Sequence, residues 1–352
     1  MNKIIQFFRD LIDDKEFVTF YSTYGYREGD NWKIPMRYWV HEPRELAEGL
    51  FSMIASSLGA ENELEEKNFN SRMAHLVADS ESREKVLFQF DDDPLHKDWH
   101  LTDEEGDFPK TNFNGVVEGV LTLPDSVAQK LLEAQGSKDG WLSFHATSNE
   151  HNGAGRVRLI EPEGISVVSD IDDTIKITEL PAGSKIVVQN TFFHDFAAAP
   201  GMAESYRSME NTVFHYVSGG PWQLFLPLLD FIDKEGFPEG TMHMKSVPKN
   251  LLSPKTWSDL YKLIKGGATV GQKLVQIGTI LEHFPNRKFI LIGDSGEHDP
   301  EIYRKIHEKF GDQIQEIRIR DVINARENNP ELLKGMTIIE APTIQEGVSQ
   351  FE

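Results

Sequence analysis

The chain has no cysteine. Disulfides, thiolate-held zinc and cysteine nucleophiles are therefore excluded, while oxygen-ligand metals stay open. No apolar run approaches the ~18 residues that a membrane-spanning helix needs. The first residues, Met1 to Asp14, lack the long uncharged core of a signal peptide. A cytoplasmic location is the default expectation, with peripheral membrane contact left open. Basic residues are scarce, 36 Lys and Arg against 57 Asp and Glu, for a net charge of -21. The deficit is uneven: residues 1–165 carry 17 basic against 31 acidic side chains, and the remainder 19 against 26. Such a surface repels phosphate backbones, so nucleic acid is not an expected partner. What is present is ordinary for a soluble globular protein: 39% hydrophobic and 26% charged residues in a chain of 352. At ~150 residues per unit, that length predicts two domains.

The first of these reads as residues 1–162. Ile4, Ile5, Phe8, Leu11 and Ile12 recur at helical spacing, an amphipathic helix that packs on its own domain or lies on a membrane surface. Asp10, Asp13 and Asp14 weaken the second alternative. Phe17 to Tyr24 and Trp32 to Val40 alternate around Glu28-Gly29-Asp30-Asn31, the pattern of a β-hairpin. Glu45 to Leu58 reads as a helix, and residues 59–82 as a polar connection with at most a short helix. Strand patterns resume at Val86–Phe90, Val116–Leu123, Trp141–His145 and Arg156–Ile160. The expectation is a β-sandwich-like domain with helical additions. Its acidic loops are solvated turns or, less simply, calcium loops; nothing in it looks catalytic.

After Pro162-Glu163-Gly164 the period changes. Apolar runs at Ile165–Val168, Val213–Val217, Met242–Val247, Lys288–Ile292 and Glu316–Ile319 alternate with helical patterns. Alternation of this kind predicts an α/β domain over 163–352 with a doubly wound parallel sheet. Ligands in such a sheet sit at the carboxyl ends of the strands. There the first strand ends in Ser169-Asp170-Ile171-Asp172-Asp173-Thr174. Crowding three carboxylates is unfavourable unless a hard cation or a phosphate-handling task compensates. A later strand runs directly into Gly293-Asp294-Ser295-Gly296-Glu297-His298-Asp299. Two carboxylates five residues apart beyond a glycine turn suit a magnesium site. His298 is expected to face solvent. Between these stretches, a strand is expected to end at Ser218-Gly219-Gly220, with Pro221 in the first turn of a helix whose N-terminus attracts an anion. Taken alone, that last stretch is a capped helix start.

The pattern Asp-x-Asp-x-Thr after an apolar strand resembles the first motif of the haloacid dehalogenase superfamily. Ser218, Lys273 and Asp294 stand in the order of its other motifs. The stretches Ser169–Thr178, Gly201-Met202-Ala203-Glu204-Ser205-Tyr206, Phe214–Phe225, Gly293–Tyr303 and Ile319-Arg320-Asp321-Val322 are similar to the catalytic domain of the actin-patch type phosphatidate phosphatases and their bacterial relatives. Thr102-Asp103-Glu104-Glu105-Gly106-Asp107-Phe108 resembles a turn of prealbumin-like sandwich modules. One departure is Gly219-Gly220, where that family carries a small polar residue.

The resemblance implies a HAD-like fold and a magnesium-dependent phosphatase. In it Asp170 is the nucleophile that forms an aspartyl-phosphate, and Asp172 is the acid and then the base. Lys273 neutralises charge, with Lys262 and Lys265 as competing lysines. Thr174, Ser218 and Gly219 bind the phosphoryl group, and Asp170, Asp294, Asp299 and the Asp172 carbonyl hold Mg2+. The implied substrate is a phosphorylated lipid, phosphatidate, or else a soluble phosphate ester. Protein partners are not indicated. A non-catalytic phosphate- or metal-sensing module is the competing reading, opposed by the pairing of Asp170 with Asp172. Residues 177–209 and 245–271 are the expected cap segments, and Phe192, Phe193 and Phe196 either line a lipid cleft or pack as core.

Overall fold

The computed structural model describes residues 16–42, 48–148, 150–246, 260–262, 264 and 269–347. The helix expected over residues 2–14, most of the 245–271 segment and Lys265 lie outside them. The chain divides into two compact units, one of residues 1–44 and 78–162, the other of residues 45–77 and 163–352.

The first unit is a nine-stranded mixed sheet. Its longest strand, Asn31–Glu42, alternates buried and half-exposed residues, as a strand with one face on a core must. Trp32, Ile34, Met36, Tyr38 and Val40 point inward, joined by Phe20, Phe88, Phe144, Val117 and Leu121 in a single cluster. The Phe20 ring sits edge-on to Phe144 and Phe88, with centroids 5.0 and 5.9 Å apart. The expected hairpin is Thr23–Glu28 with Asn31–Glu42, closed at Gly29, whose φ of 59° suits glycine. The run Phe17–Tyr24 is not one strand. It breaks after Phe20, and Glu16–Phe20 pairs with the far end of the long strand while Thr23–Glu28 pairs with its start.

The second unit holds a six-stranded sheet whose pairs are all parallel. Its spatial order is Gly240–Lys245, Thr212–Pro221, Ile165–Ser169, Lys288–Asp294, Ile314–Asp321 and Thr337–Glu340. The α/β, doubly wound architecture expected from the alternating pattern is therefore present, with one edge strand more than the sequence pattern indicated. Ile165–Ser169 is central, flanked by Thr212–Pro221 and Lys288–Asp294, so the three motif-bearing strand ends are neighbours. Arg287 fixes where that central strand begins: its guanidinium donates to the carbonyls of Glu163 and Ile165 and to Ser166 Oγ.

Residues 59–82 are more than a connection. Asn62 and Glu65 form a reciprocal cap: Asn62 Oδ1 accepts the Glu65 N–H at 3.0 Å, and the Glu65 carboxylate accepts the Glu61 N–H at 2.8 Å. They start the helix Glu63–Val77, which buries Phe69, Arg72, Met73 and Leu76. That is a helical stripe, disguised because one member is arginine. Together with the helix Glu48–Ser57 it belongs to the second unit, so this unit is discontinuous in sequence. Among the described residues, no helix is long and apolar enough to cross a membrane.

Candidate active site

Asp170, directly after the central strand, is buried, and its Oδ1 lies 2.7 Å from Lys273 Nζ. Its second oxygen accepts a hydrogen bond from Thr174 Oγ1 at 3.2 Å. Lys273 projects from the helix Thr269–His283 and is 1% exposed, whereas Lys262 faces solvent. The same ammonium also reaches Asp299 Oδ1 at 2.7 Å and Glu297 Oε2 at 3.3 Å. Burial pushes the Asp170 carboxyl well up despite that lysine, and Asp299 and Glu297 push the same way. For Lys273, burial alone would lower the pKa, but Asp170, Asp299 and Glu297 outweigh it and hold the ammonium firmly charged.

Asp294 closes the neighbouring strand and is fully buried. Its Oδ1 accepts the N–H groups of Gly296 and Glu297 at 2.7 and 3.1 Å, while Oδ2 is buried with no hydrogen-bond partner among the described residues. Burial, then Asp299, Glu297 and Asp170, raise its pKa well above the usual carboxylate range. One oxygen each from Asp170, Asp294 and Glu297 lie within 4.8 Å of one another. That spread is about twice a hard-cation–oxygen bond of roughly 2.1–2.5 Å. The buried orphan oxygen and the crowded carboxylates both fit a divalent cation at this point.

Glu297 belongs to no motif in the sequence. The available signal was Gly296: the turn lets Glu297 follow Asp294 into the cluster, and a Cβ at Gly296 would meet Pro181, Asp294 and Val322 at 2.8–3.1 Å. Asp299, expected to support the metal, accepts a hydrogen bond from Lys273 on Oδ1 at 2.7 Å and one from the Asp294 N–H on Oδ2 at 3.4 Å. Gly293 makes room for it, since a Cβ there would lie 2.4 Å from Asp299 Oδ2. His298 is exposed, as expected.

Asp172 sits on the loop beyond Asp170 and is held by Lys176, a residue outside the expected motifs. Lys176 Nζ is 2.8 Å from Asp172 Oδ1, and Thr178 Oγ1 donates to the same oxygen at 2.5 Å. Lys176 also donates to Thr178 Oγ1. Burial alone would raise the Asp172 pKa, but Lys176, Thr178 and Lys273 reverse that and hold it below the ordinary value. Asp173 organises the loop: its φ is 54°, and its carboxylate accepts the N–H groups of Thr178, Glu179 and Leu180 at 2.9, 2.7 and 2.6 Å. Arg320 donates to its carbonyl at 2.7 Å. Asp tolerates that left-handed conformation better than most side chains.

Ser218 Oγ donates to Asp172 Oδ2 at 3.4 Å and accepts the Gly220 N–H at 2.9 Å. The strand does not stop at Ser218. It runs to Pro221 through a register shift at Gly219-Gly220, and the α-helix begins only at Phe225 after a short 3-10 turn. Pro221 is thus the last strand residue rather than a first helical one, because two glycines let the strand bulge and continue.

Phe192 and Phe193 are core residues. Phe193 packs on Phe69 with ring centroids 4.8 Å apart, and Arg72 donates to the carbonyls of Thr191 and His194 at 3.1 and 2.7 Å. The half-buried Phe196 ring lies beneath two cations, Arg72 at 3.9 Å and Lys176 at 5.0 Å. A line of contacts thus runs from the helix Glu63–Val77 through Phe196 to the lysine beside Asp172.

A parallel sheet carrying a buried carboxylate–lysine pair at adjacent strand ends is compatible with the architecture of the haloacid dehalogenase class. Residues 165–321 match the family model described as "Phosphatidate phosphatase APP1, catalytic domain". Among curated proteins, the chain is 35% identical to Phosphatidate phosphatase APP1 of Saccharomyces cerevisiae over 176 residues, 49% of this chain and 28% of that one. It is 26% identical to an uncharacterized protein of Schizosaccharomyces pombe over 256 residues, 70% of this chain and 37% of that one. The matched regions therefore span well under half the length of these relatives.

Proposed function

We propose that the second unit is a magnesium-dependent phosphatase working through an aspartyl-phosphate, with phosphatidate as its substrate and diacylglycerol as its product. The observation that carries this reading is Asp170, aimed at the same point as Lys273, Asp294 and Glu297, with Asp172 two residues on. The lipid is supported by the name of the budding-yeast relative.

Asp170 attacks phosphorus in line, and Thr174 holds its other oxygen in place. Ser218 and the backbone at Gly219 receive the phosphoryl oxygens. Lys273, oriented by Asp299, offsets the charge of nucleophile and phosphate together. Asp170, Asp294 and Glu297 would hold the magnesium, with Asp299 linked through water. Once bound, the metal neutralises the carboxylates that would otherwise repel a phosphate dianion. Asp172 protonates the leaving oxygen and, as a carboxylate, then activates the hydrolytic water. Lys176 and Thr178 preset the carboxylate for the second role. A phosphate dianion arriving beside it favours its protonated form, and so the first.

The test is release of phosphate from phosphatidate in detergent micelles, in anionic vesicles and from a soluble aryl phosphate, with magnesium and with excess EDTA. The reading expects activity only with magnesium, and weaker action on the vesicles because the chain carries -21. Full activity in EDTA removes the metal. Efficient cleavage of soluble esters with phosphatidate untouched removes the lipid and leaves a general phosphatase.

A further inference from the structure

The sheet unit contains a second convergence of metal-ligating side chains, and it lies outside the family match at residues 165–321. Glu16 opens the strand Glu16–Phe20, and His151 stands opposite it in parallel register. The Glu16 N–H donates to the Glu150 carbonyl at 3.0 Å. Glu84 comes from the segment before Phe88–Phe90, where its N–H donates to Thr111 Oγ1 at 2.8 Å and its carbonyl accepts the Thr111 N–H at 2.9 Å. All three side chains therefore rise from pinned backbone.

His151 Nε2 lies 3.1 Å from Glu16 Oε2 and 3.8 Å from Glu84 Oε2, and one donor atom of each residue falls within 4.8 Å of the others. The imidazole side chain is only 3% exposed. Both its nitrogens and Glu16 Oε2 are buried with no hydrogen-bond partner among the described residues, the 3.1 Å contact being too poorly aligned to serve. A histidine–carboxylate ion pair would satisfy these atoms, but burial opposes it by lowering the His151 pKa. Burial first, and then Glu84, Glu81, Glu42 and Glu150, push Glu16 up to about 7. The site thus offers a neutral imidazole and two carboxylates in a field that is negative throughout.

We propose that Glu16, Glu84 and His151 bind a divalent transition cation of the zinc type, tying the first strand of the sheet unit to its strand His151–Asn152. An imidazole nitrogen with two carboxylates suits such an ion, whereas magnesium and calcium take oxygen alone. Three protein ligands leave a fourth position for water. The proposal does not rest on the phosphatase reading, and its test is separate.

The full chain, stripped with chelator and dialysed, is titrated with Zn2+ by calorimetry in saturating Mg2+, so that the phosphatase cluster is already filled. Co2+ replaces Zn2+ in a parallel titration followed by its visible absorption. The expected result is one equivalent of Zn2+ bound in the presence of Mg2+, and a Co2+ spectrum carrying a nitrogen ligand. Glu84→Gln and Glu16→Gln each weaken that equivalent by at least the 10- to 100-fold typical of losing a mere outer partner. Asp294→Asn leaves it unchanged, and Glu84→Gln keeps full hydrolysis of an aryl phosphate. Absence of Zn2+ uptake by the wild type, or uptake by both glutamine variants as tight as that of the wild type, overturns the proposal.

Discussion

The two acidic convergences differ in what sits between their carboxylates. Around Asp170 the chain supplies its own cations: Lys273 lies among Asp170, Glu297 and Asp299, and Lys176 beside Asp172. Around Glu16 the nitrogen at the centre, among the described residues, is that of His151, whose pKa burial lowers. The first cluster keeps part of its charge balance without a metal, as a site must if it exchanges an anionic substrate at every turnover. The second puts its nitrogen where a metal can use the lone pair, the arrangement of a fixed joint between strands.

The sharpest way to separate the clusters is to remove one carboxylate from each. Asp170→Asn is expected to abolish turnover with the fold intact, and Asp172→Asn to lower it by roughly 10² to 10⁴, most for poor leaving groups. Glu84→Gln should leave hydrolysis untouched. Steady-state rates on aryl phosphates of graded leaving-group pKa give the comparison, and equal small losses in both aspartate variants would remove the covalent mechanism.

Next in size is Lys273→Met, which leaves Asp170, Glu297 and Asp299 buried without their ammonium. Breaking a buried ion pair from one side costs about 3–5 kcal/mol, so chemical denaturation should detect it, and added Mg2+ should restore part of the loss. An unchanged midpoint would mean that the lysine does not compensate these carboxylates.

Phe193→Ala gives a comparable loss from a different cause. It empties the contact with Phe69 and should cost about 3–5 kcal/mol. Any loss of activity should fall equally on phosphatidate micelles and on a soluble ester, since the ring is core. A selective loss of lipid turnover would return Phe193 to the substrate cleft.

The smallest effect belongs to an exposed pair in the sheet unit. His145 Nδ1 is 2.7 Å from Asp91 Oδ1, a hydrogen bond that raises the histidine pKa above 6.5. A raised folded-state pKa contributes stability that is fully present below pH 6.5 and is lost as pH rises through the folded value. Asp91→Asn should therefore cost a few tenths to about 1 kcal/mol at pH 5.5 and nothing through this pair at pH 9, the small size reflecting solvent screening. A penalty equal at both pH values would assign the loss to something other than the charge.

Local signals carried the parallel sheet. Val167, Val168, Leu291 and Ile292 form short apolar runs ended by aspartates, and a strand buried on both faces leaves just that mark. The positions of Asp170, Asp172 and Asp294 at or near the ends of such runs were legible for the same reason, whereas Thr174 and Ser218 stood out only through the resemblance. Lys273 was legible only through its order among the motifs; what distinguishes it from Lys262 is burial. Glu297 and Lys176 were hidden because charged residues next to aspartates read as more of an acidic, solvated turn. Arg72 hid the helix Glu63–Val77 by interrupting its apolar stripe with a guanidinium that caps backbone carbonyls.

The order of residues along the chain was enough to set what neighbouring positions decide: strand periods, the glycine turn at Gly29, and the carboxylates that each strand delivers to its own end; Gly293, expected in a turn, is instead a strand residue paired with Ile319. Pairings between distant segments were decided only in the folded chain. Lys273 meets Asp170 across 103 positions and Glu16 meets His151 across 135, numbers read directly from their places in the sequence. Residues 45–77 leave the unit that surrounds them in sequence because their buried face, with Phe69 and Arg72, finds its partners at Thr191, Phe193 and His194. The physical reason is that periodicity reports which face of an element turns inward, whereas the partner of that face is chosen by packing and by charge compensation between groups that only folding brings together.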